Sequence, residues 1–240
     1  MEFREVLYEA HAPFVTLTLN RPQSENKMTP TLARELTQAL VALREDDDVR
    51  AVILTGAEEH FSTGADVALL SELGPKGFID FAGLWITFLK TIPTLGKPLI
   101  AGVNGDALAG GAAIVVACDL AIAADTARIG NNEATFGLWP MTSKIPVLRQ
   151  LGQKRALEHF YTGRPFTAEE AKVLGLVNRV VRKADLKASL RAYAEEVTVI
   201  PAPALKMGRE AYFQMVDLDY ASALDLGRLA FITMLATREK

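Results

Sequence analysis

Residues Phe14–Leu19 alternate apolar and β-branched positions, which predicts a strand with one buried face. Asn20, Arg21 and Pro22 close it. Thr29 followed by Pro30 is a helix start, with threonine placed to cap and proline tolerated in the first turn. Leu32, Leu36, Ala39, Leu40 and Leu43 then recur at helical spacing, so the helix runs to about Arg44. Asp46, Asp47 and Asp48 read as a solvated loop. The short apolar runs 51–55, 98–103 and 120–123 predict strands buried on both faces. Helices are expected over 66–73, 78–89 and 112–117. This alternation of strand and helix predicts an α/β fold with parallel strands. Beyond it, the run Thr167, Ala168, Glu169, Glu170 resembles a capping box, and Gly175 is a stop. One more strand is expected over 176–181, then helices from about Ala184, Ala202 and Tyr220. No linker rich in Pro, Gly or Ser divides the chain, which reads as a core over 1–182 carrying a helical region over 183–240.

Composition narrows the chemistry. Half of the 240 residues are hydrophobic, enough for a sizeable core. A net charge of −3 gives no reason to expect nucleic acid or an anionic membrane as partner. A single cysteine, Cys118, excludes an intrachain disulfide and fits a reducing compartment. The first ten residues lack the apolar run of a signal peptide, and no stretch suits a membrane span, so a cytoplasmic protein is expected. His11, His60 and His159 are scattered without metal-ligand spacing, and no metal is expected.

Two glycine-containing loops each follow a buried strand and precede a helix. The first runs Phe61, Ser62, Thr63, Gly64, Ala65, Asp66, and the second from Asn104 and Gly105 to Gly110 and Gly111. Neither matches a nucleotide-phosphate motif or a nucleophile elbow. Such turns leave the first helical N–H groups without intrahelical acceptors, and glycine lets an oxygen approach the backbone. Two of them side by side can aim two N–H groups at one oxygen; ordinary strand-to-helix turns are the plainer alternative.

The order of motifs resembles the crotonase superfamily (the enoyl-CoA hydratase/isomerase family) over nearly the whole chain. The matching features begin with Asn20-Arg21-Pro22, Asn26-Lys27-Met28, Thr55-Gly56 and Phe61 to Asp66. They continue through Val103-Asn104-Gly105, Ala109-Gly110-Gly111 and Ala117-Cys118-Asp119. Thr162-Gly163-Arg164, Glu169-Glu170-Ala171 and Gly175 to Asn178 complete them. The resemblance implies a spiral of repeated ββα units (the ClpP/crotonase fold) and a helical C-terminal region that forms trimers or pairs of trimers. It implies an acyl-CoA substrate, with no cofactor beyond that thioester. Its carbonyl would be held by the N–H groups of Ala65 and Gly110. CoA would lie along Asn26, Lys27 and Met28 and the backbone of Ser62, Thr63, Gly64, Asp66 and Gly111. Family chains usually continue with another helix past 237–240, so the C-terminal region looks truncated.

Hydratases of this family carry two glutamates. The first position falls here on Ala113, whose methyl group cannot move protons; the second falls on Glu133. Glu133 is therefore the candidate acid/base, with Trp139 and Met141 expected to line an apolar pocket near it. Asp66 and Asp106 are candidate substitutes for the missing acid. The resemblance thus implies hydration of a 2-enoyl-CoA, or 3-enoyl to 2-enoyl isomerisation, with one glutamate. A non-catalytic acyl-CoA-binding homologue, a decarboxylase and a thioester hydrolase remain as alternatives.

Overall fold

The computed structural model describes residues 2–238. In chain order, its first half contains strands β1 (Val6–His11) and β2 (Phe14–Leu19), helix α1 (Pro30–Arg44), strand β3 (Ala51–Gly56), helices α2 (Val67–Glu72) and α3 (Gly74–Thr91), and strands β4 (Leu99–Val103) and β5 (Ala107–Leu108). Helix α4 (Gly110–Ala117), strands β6 (Leu120–Ala124) and β7 (Arg128–Gly130), helices α5 (Lys144–Gln150) and α6 (Gln153–Thr162), and strand β8 (Phe166–Thr167) follow. Helix α7 (Ala168–Val173), strand β9 (Arg179–Val181), and helices α8 (Leu186–Val197), α9 (Ala202–Met215) and α10 (Tyr220–Arg238) complete it.

Six strands form the main sheet in the order β1-β2-β3-β4-β6-β9, and β5-β7-β8 form a small one. Within the main sheet only the β1–β2 pair is antiparallel. Units repeat along the chain: β4 in the main sheet leads to β5 in the small sheet and then α4, and β6 leads to β7 and then α5. The first such unit is abbreviated, because after β3 only Ser62 bridges to Ala107 before α2.

The alternation in the strands is what divides the core. Val52 and Leu54 on β3, with Val15, Leu17 and Leu19 on β2, bury against α1, α3 and α4. Ile53, Ile100 and Ile122 point to the opposite face, where Leu186, Leu190, Tyr193 and Ala194 of α8 cover them. The helix starts follow capping chemistry. Thr29 accepts the Leu32 N–H at 3.0 Å, and the Thr167–Glu170 capping box is complete.

Two expectations shift. Helix α3 begins earlier than 78, because Pro75 is tolerated in its first turn. The strand expected from 176 begins at Arg179. Leu176 instead donates its N–H to Ala171 O and Gly175 donates to Lys172 O, a Schellman closure of α7 with Gly175 at φ +75°. The boundary at 182 falls before α8, although α8 packs on the sheet like a core element. Among the described residues no helix is long and apolar enough to cross a membrane. Glu239 and Lys240, where continuation into another helix is expected, lie outside the described residues.

Helix α9 is tied to the core by one buried side chain. The Arg209 guanidinium bonds Asp119 Oδ2 at 2.9 Å and the carbonyls of Ile92 and Pro93 at 2.8 Å each. Asp119 also accepts the Leu99 N–H at 2.7 Å, so it links β4 to α9. Removing one partner of a buried pair leaves the other charge uncompensated. Arg209→Met is expected to cost about 3 kcal/mol, read as a lower urea midpoint at fixed protein concentration. An unchanged midpoint would show that α9 is not held this way.

Candidate active site

The two glycine-containing loops lie against one another. Phe61 and Ser62 donate their N–H groups to Asp106 O at 3.1 Å, and Leu108 donates to Ser62 O at 2.9 Å. Gly111 makes this approach feasible, since a Cβ there would lie 2.0 Å from Ser62 O. Gly64 has φ +106°, and a Cβ on it would meet Ala109 Cβ at 2.8 Å and Gly110 N at 3.5 Å. The backbone of Gly64 and Ala65 therefore faces the start of α4.

Among the described residues neither the Ala65 N–H in the first loop nor the Gly110 N–H in the second has a hydrogen-bond acceptor. Met28 bridges Ala65 in a short parallel pairing, taking Gly64 O at 2.7 Å and the Asp66 N–H at 2.9 Å. The Ala65 N–H between them points to the other side of that ribbon. Gly110 is the first residue of α4, so its N–H has no intrahelical acceptor. Ala109 before it holds φ +49° and ψ −116°, a strained conformation for a residue with a side chain. Such strain costs about 1–3 kcal/mol and persists where the surroundings impose it. Here Ala109 donates to Gly130 O at 2.9 Å and accepts the Ala113 N–H at 3.2 Å. Ala65 and Gly110 are both half-buried.

The residues expected to bind CoA divide by role. Asn26 is fully buried; its amide donates to Ala57 O at 2.9 Å and His60 O at 2.7 Å and accepts the Arg21 N–H. It therefore clamps the first loop from below. Met28 is buried too, while Lys27 extends its side chain to the surface beside Glu25 at 3.3 Å. Ser62 is buried, and Thr63 bonds Glu25 at 2.8 Å, which holds that carboxyl below its ordinary range. Asp66 caps α2 through Leu69 N–H and pairs with Arg21 at 2.9 Å. Asp106 is engaged by Arg128. Both aspartates thus have structural partners. Ala113 lies one turn into α4 and is fully buried.

Glu133 reaches the same region through the small sheet. Leu108 pairs with Gly130 in the β5–β7 register, and Glu133 stands three residues further on, in a 3-10 turn. Ser143 donates to its Oε1 at 2.5 Å, and Asn131 Nδ2 lies 3.2 Å from the same oxygen. Oε2 is buried and has no partner among the described residues. Trp139 packs against Tyr161 in a tilted contact and meets Phe160 edge-on, at 5.2 and 6.1 Å between centroids, and Met141 is exposed. The structure thus brings Ala65, Gly64, Gly110 and Gly111 together, with Glu133 in the turn that follows the adjoining strand β7, and sets Trp139 in an aromatic cluster with α6.

The sequence gives no functional signal for Ser143, Asn131, His159 or Trp85. Trp85, 5% exposed, lies along α4's start, 3.5 Å from where a Gly110 Cβ would be. His159 is buried and stacked on Phe166 at 4.4 Å. It accepts the Asn131 N–H on Nε2 at 2.8 Å and contacts Arg164 O through Nδ1 at 3.0 Å. One nitrogen must accept and the other donate, which requires the neutral ring.

The sequence model of the enoyl-CoA hydratase/isomerase family matches residues 9–239. The chain belongs to that family. A putative enoyl-CoA hydratase of Thermus thermophilus is 38% identical over 192 residues, 79% of this chain and 76% of that protein. A short-chain-enoyl-CoA hydratase of Clostridium acetobutylicum is 32% identical over 211 residues, covering 87% and 81% respectively. The crystal structure of an enoyl-CoA hydratase from Mycobacterium smegmatis superposes with a TM-score of 0.93 at 31% identity, over 97% of this chain and 91% of that one. The fold of this enoyl-CoA hydratase/isomerase family member is accordingly the crotonase fold.

Burial pushes the His159 pKa down, the contact with Arg164 O opposes this, and the Arg164 charge adds to it. A folded pKa below the unfolded value means that the unfolded chain binds the proton more readily. The resulting stability is complete above about pH 6.5, the unperturbed histidine value, and is lost as pH falls through the lower folded value. Unfolding free energy measured by urea titration is expected to decline below that pH, and His159→Gln is expected to flatten the decline. An identical pH dependence in the variant would contradict this.

Proposed function

We propose that this chain turns over enoyl-CoA esters by forming a thioester enolate, with isomerisation of a 3-enoyl to a 2-enoyl ester as its reaction. The observation that carries this reading is the pairing of two uncommitted N–H groups with one carboxylate whose Oε2 is free. The thioester oxygen accepts from Ala65 and Gly110. The C2 proton of a thioester is too weakly acidic for a carboxylate alone. Charge that gathers on the oxygen as this proton leaves is what the donors stabilise, each worth roughly 3 kcal/mol in such sites. Glu133 takes the proton from C2, the double bond moves to C2–C3, and the same carboxyl returns a proton to C4. One base on one face suffices for this shuttle. On this reading Lys27 meets a CoA phosphate, and no cofactor besides the substrate's CoA is invoked.

A second reading, hydration of a 2-enoyl ester, is favoured by the hydratase names of the relatives. Hydration positions a water and delivers a proton to C2, which two carboxylates do better than one; the Ala113 methyl supplies neither. A panel of 2-enoyl and 3-enoyl esters incubated in heavy water and read by mass spectrometry separates the two. Deuterium uptake with bond migration and no added water is expected. Gain of one water would establish the hydratase reading, and an unchanged panel with esters still bound would overturn the enzyme reading. Glu133→Gln is expected to lower kcat by about 10²–10⁴-fold, the usual contribution of a positioned acid/base.

The apolar side chains of the last helices support assembly into a trimer or a pair of trimers. Tyr212 on α9 and Leu224, Leu229, Phe231 and Ile232 on α10 are all more than half exposed. Exposed apolar area of this kind marks an interaction surface. Light scattering coupled to size exclusion is expected to give three or six times the chain mass, and a monomer would refute it.

A further inference from the structure

Ser143 occupies the N-cap position of α5 but makes no cap bond. Serine is favoured there because its hydroxyl oxygen accepts a helical N–H. Here the hydroxyl turns away and donates to Glu133 Oε1 at 2.5 Å, although residue 143 is 8% exposed and sits ten positions along the chain. Asn131 Nδ2 bonds both members, at 3.2 Å to Glu133 Oε1 and 3.1 Å to Ser143 Oγ. The amide orientation follows from this triangle, since its oxygen in that place would face a carboxylate with a second acceptor. Because the amide nitrogen only donates, the serine hydroxyl must accept from it and donate to the carboxylate. Asn131 is in turn anchored by its own N–H to buried His159.

Among the described residues both side-chain bonds to the carboxylate therefore go to Oε1, and Oε2 is buried without a partner. On the reading that Glu133 is the base, we infer that Ser143 is a positioning residue that fixes the carboxylate plane and assigns proton transfer to Oε2. Such fixing is what a single-base site needs. No second carboxylate at Ala113 braces the first, and a carboxylate free to rotate would present its oxygens to C2 at varying distance.

The test is exchange of the C2 protons of butanoyl-CoA in heavy water, followed by mass spectrometry. It reads proton abstraction without any commitment to hydration or isomerisation. Ser143→Ala is expected to lower the maximal exchange rate about 10- to 100-fold, the range for a lost bond to a charged group, with the half-saturating concentration unchanged. Ser143→Thr, which keeps the hydroxyl, is expected to recover most of the rate. Glu133→Gln is run alongside. Absent exchange in the parent protein, or full exchange in Glu133→Gln, would defeat the base assignment and this inference with it. An inactive Glu133→Gln beside a fully active Ser143→Ala would overturn the positioning role alone. A Ser143→Ala protein that loses ester affinity and thermal stability together with rate, without rescue by threonine, would likewise overturn it in favour of a purely structural role.

Discussion

The seam between the two strand-to-helix loops is the constraint on which the rest of the site depends. Backbone bonds from Phe61 and Ser62 to Asp106, and from Leu108 to Ser62, hold two turns that are more than forty residues apart in the chain. At Gly111 the approach leaves no room for a side chain, since a Cβ there would lie 2.0 Å from Ser62 O. Around the seam, polar residues brace each loop separately. Asn26 and the Arg21–Asp66 pair hold the first, and Asp106 with Arg128 holds the second. Polar groups buried in this way keep their place only when satisfied, which is why these residues have so many partners.

The same seam carries the carboxylate. The small sheet is only two or three residues deep, yet it connects Ser62, β5 and β7 in one lateral run. Ala109 is strained between them, bonded to Gly130 on one side and Ala113 on the other. The proposed oxyanion donors and the proposed base are therefore positioned by one short ladder, without reliance on the larger sheet's edge. The larger sheet supplies rigidity beneath, closed on its far face by α8 and at one end by Arg209 and Asp119.

Much of this was legible from residues alone where a period is long enough to register. Strand β2, helix α1 and the fully buried strands follow from alternation or helical spacing, and their caps from Thr29 and Thr167. The small-sheet strands were not legible, since Ala107–Leu108 and Phe166–Thr167 are too short to show any period. Helices α5 and α6 were missed as elements, Pro140 and Pro146 obscuring the first. At the site, Gly64, Ala65, Gly110 and Gly111 stand out because their backbone is what matters, and glycine is a visible mark of that. Ser143 does not stand out. A Thr-Ser pair ahead of a helix reads as a cap, and only the fold reveals that its hydroxyl is turned elsewhere.

The division between backbone and side chain has an evolutionary consequence. The two N–H groups belong to the main chain, so replacement of a side chain leaves the donors in existence as long as the loops still meet. On the proposed mechanism the groups that direct the proton are the side chains of Asn131, Glu133 and Ser143. Ala113, fully buried in α4 one turn after Gly110, is a single substitution away from glutamate. On that proposal, descent can exchange one reaction for another on this scaffold by editing a few positions, while the backbone donors proposed to stabilise an enolate are inherited intact.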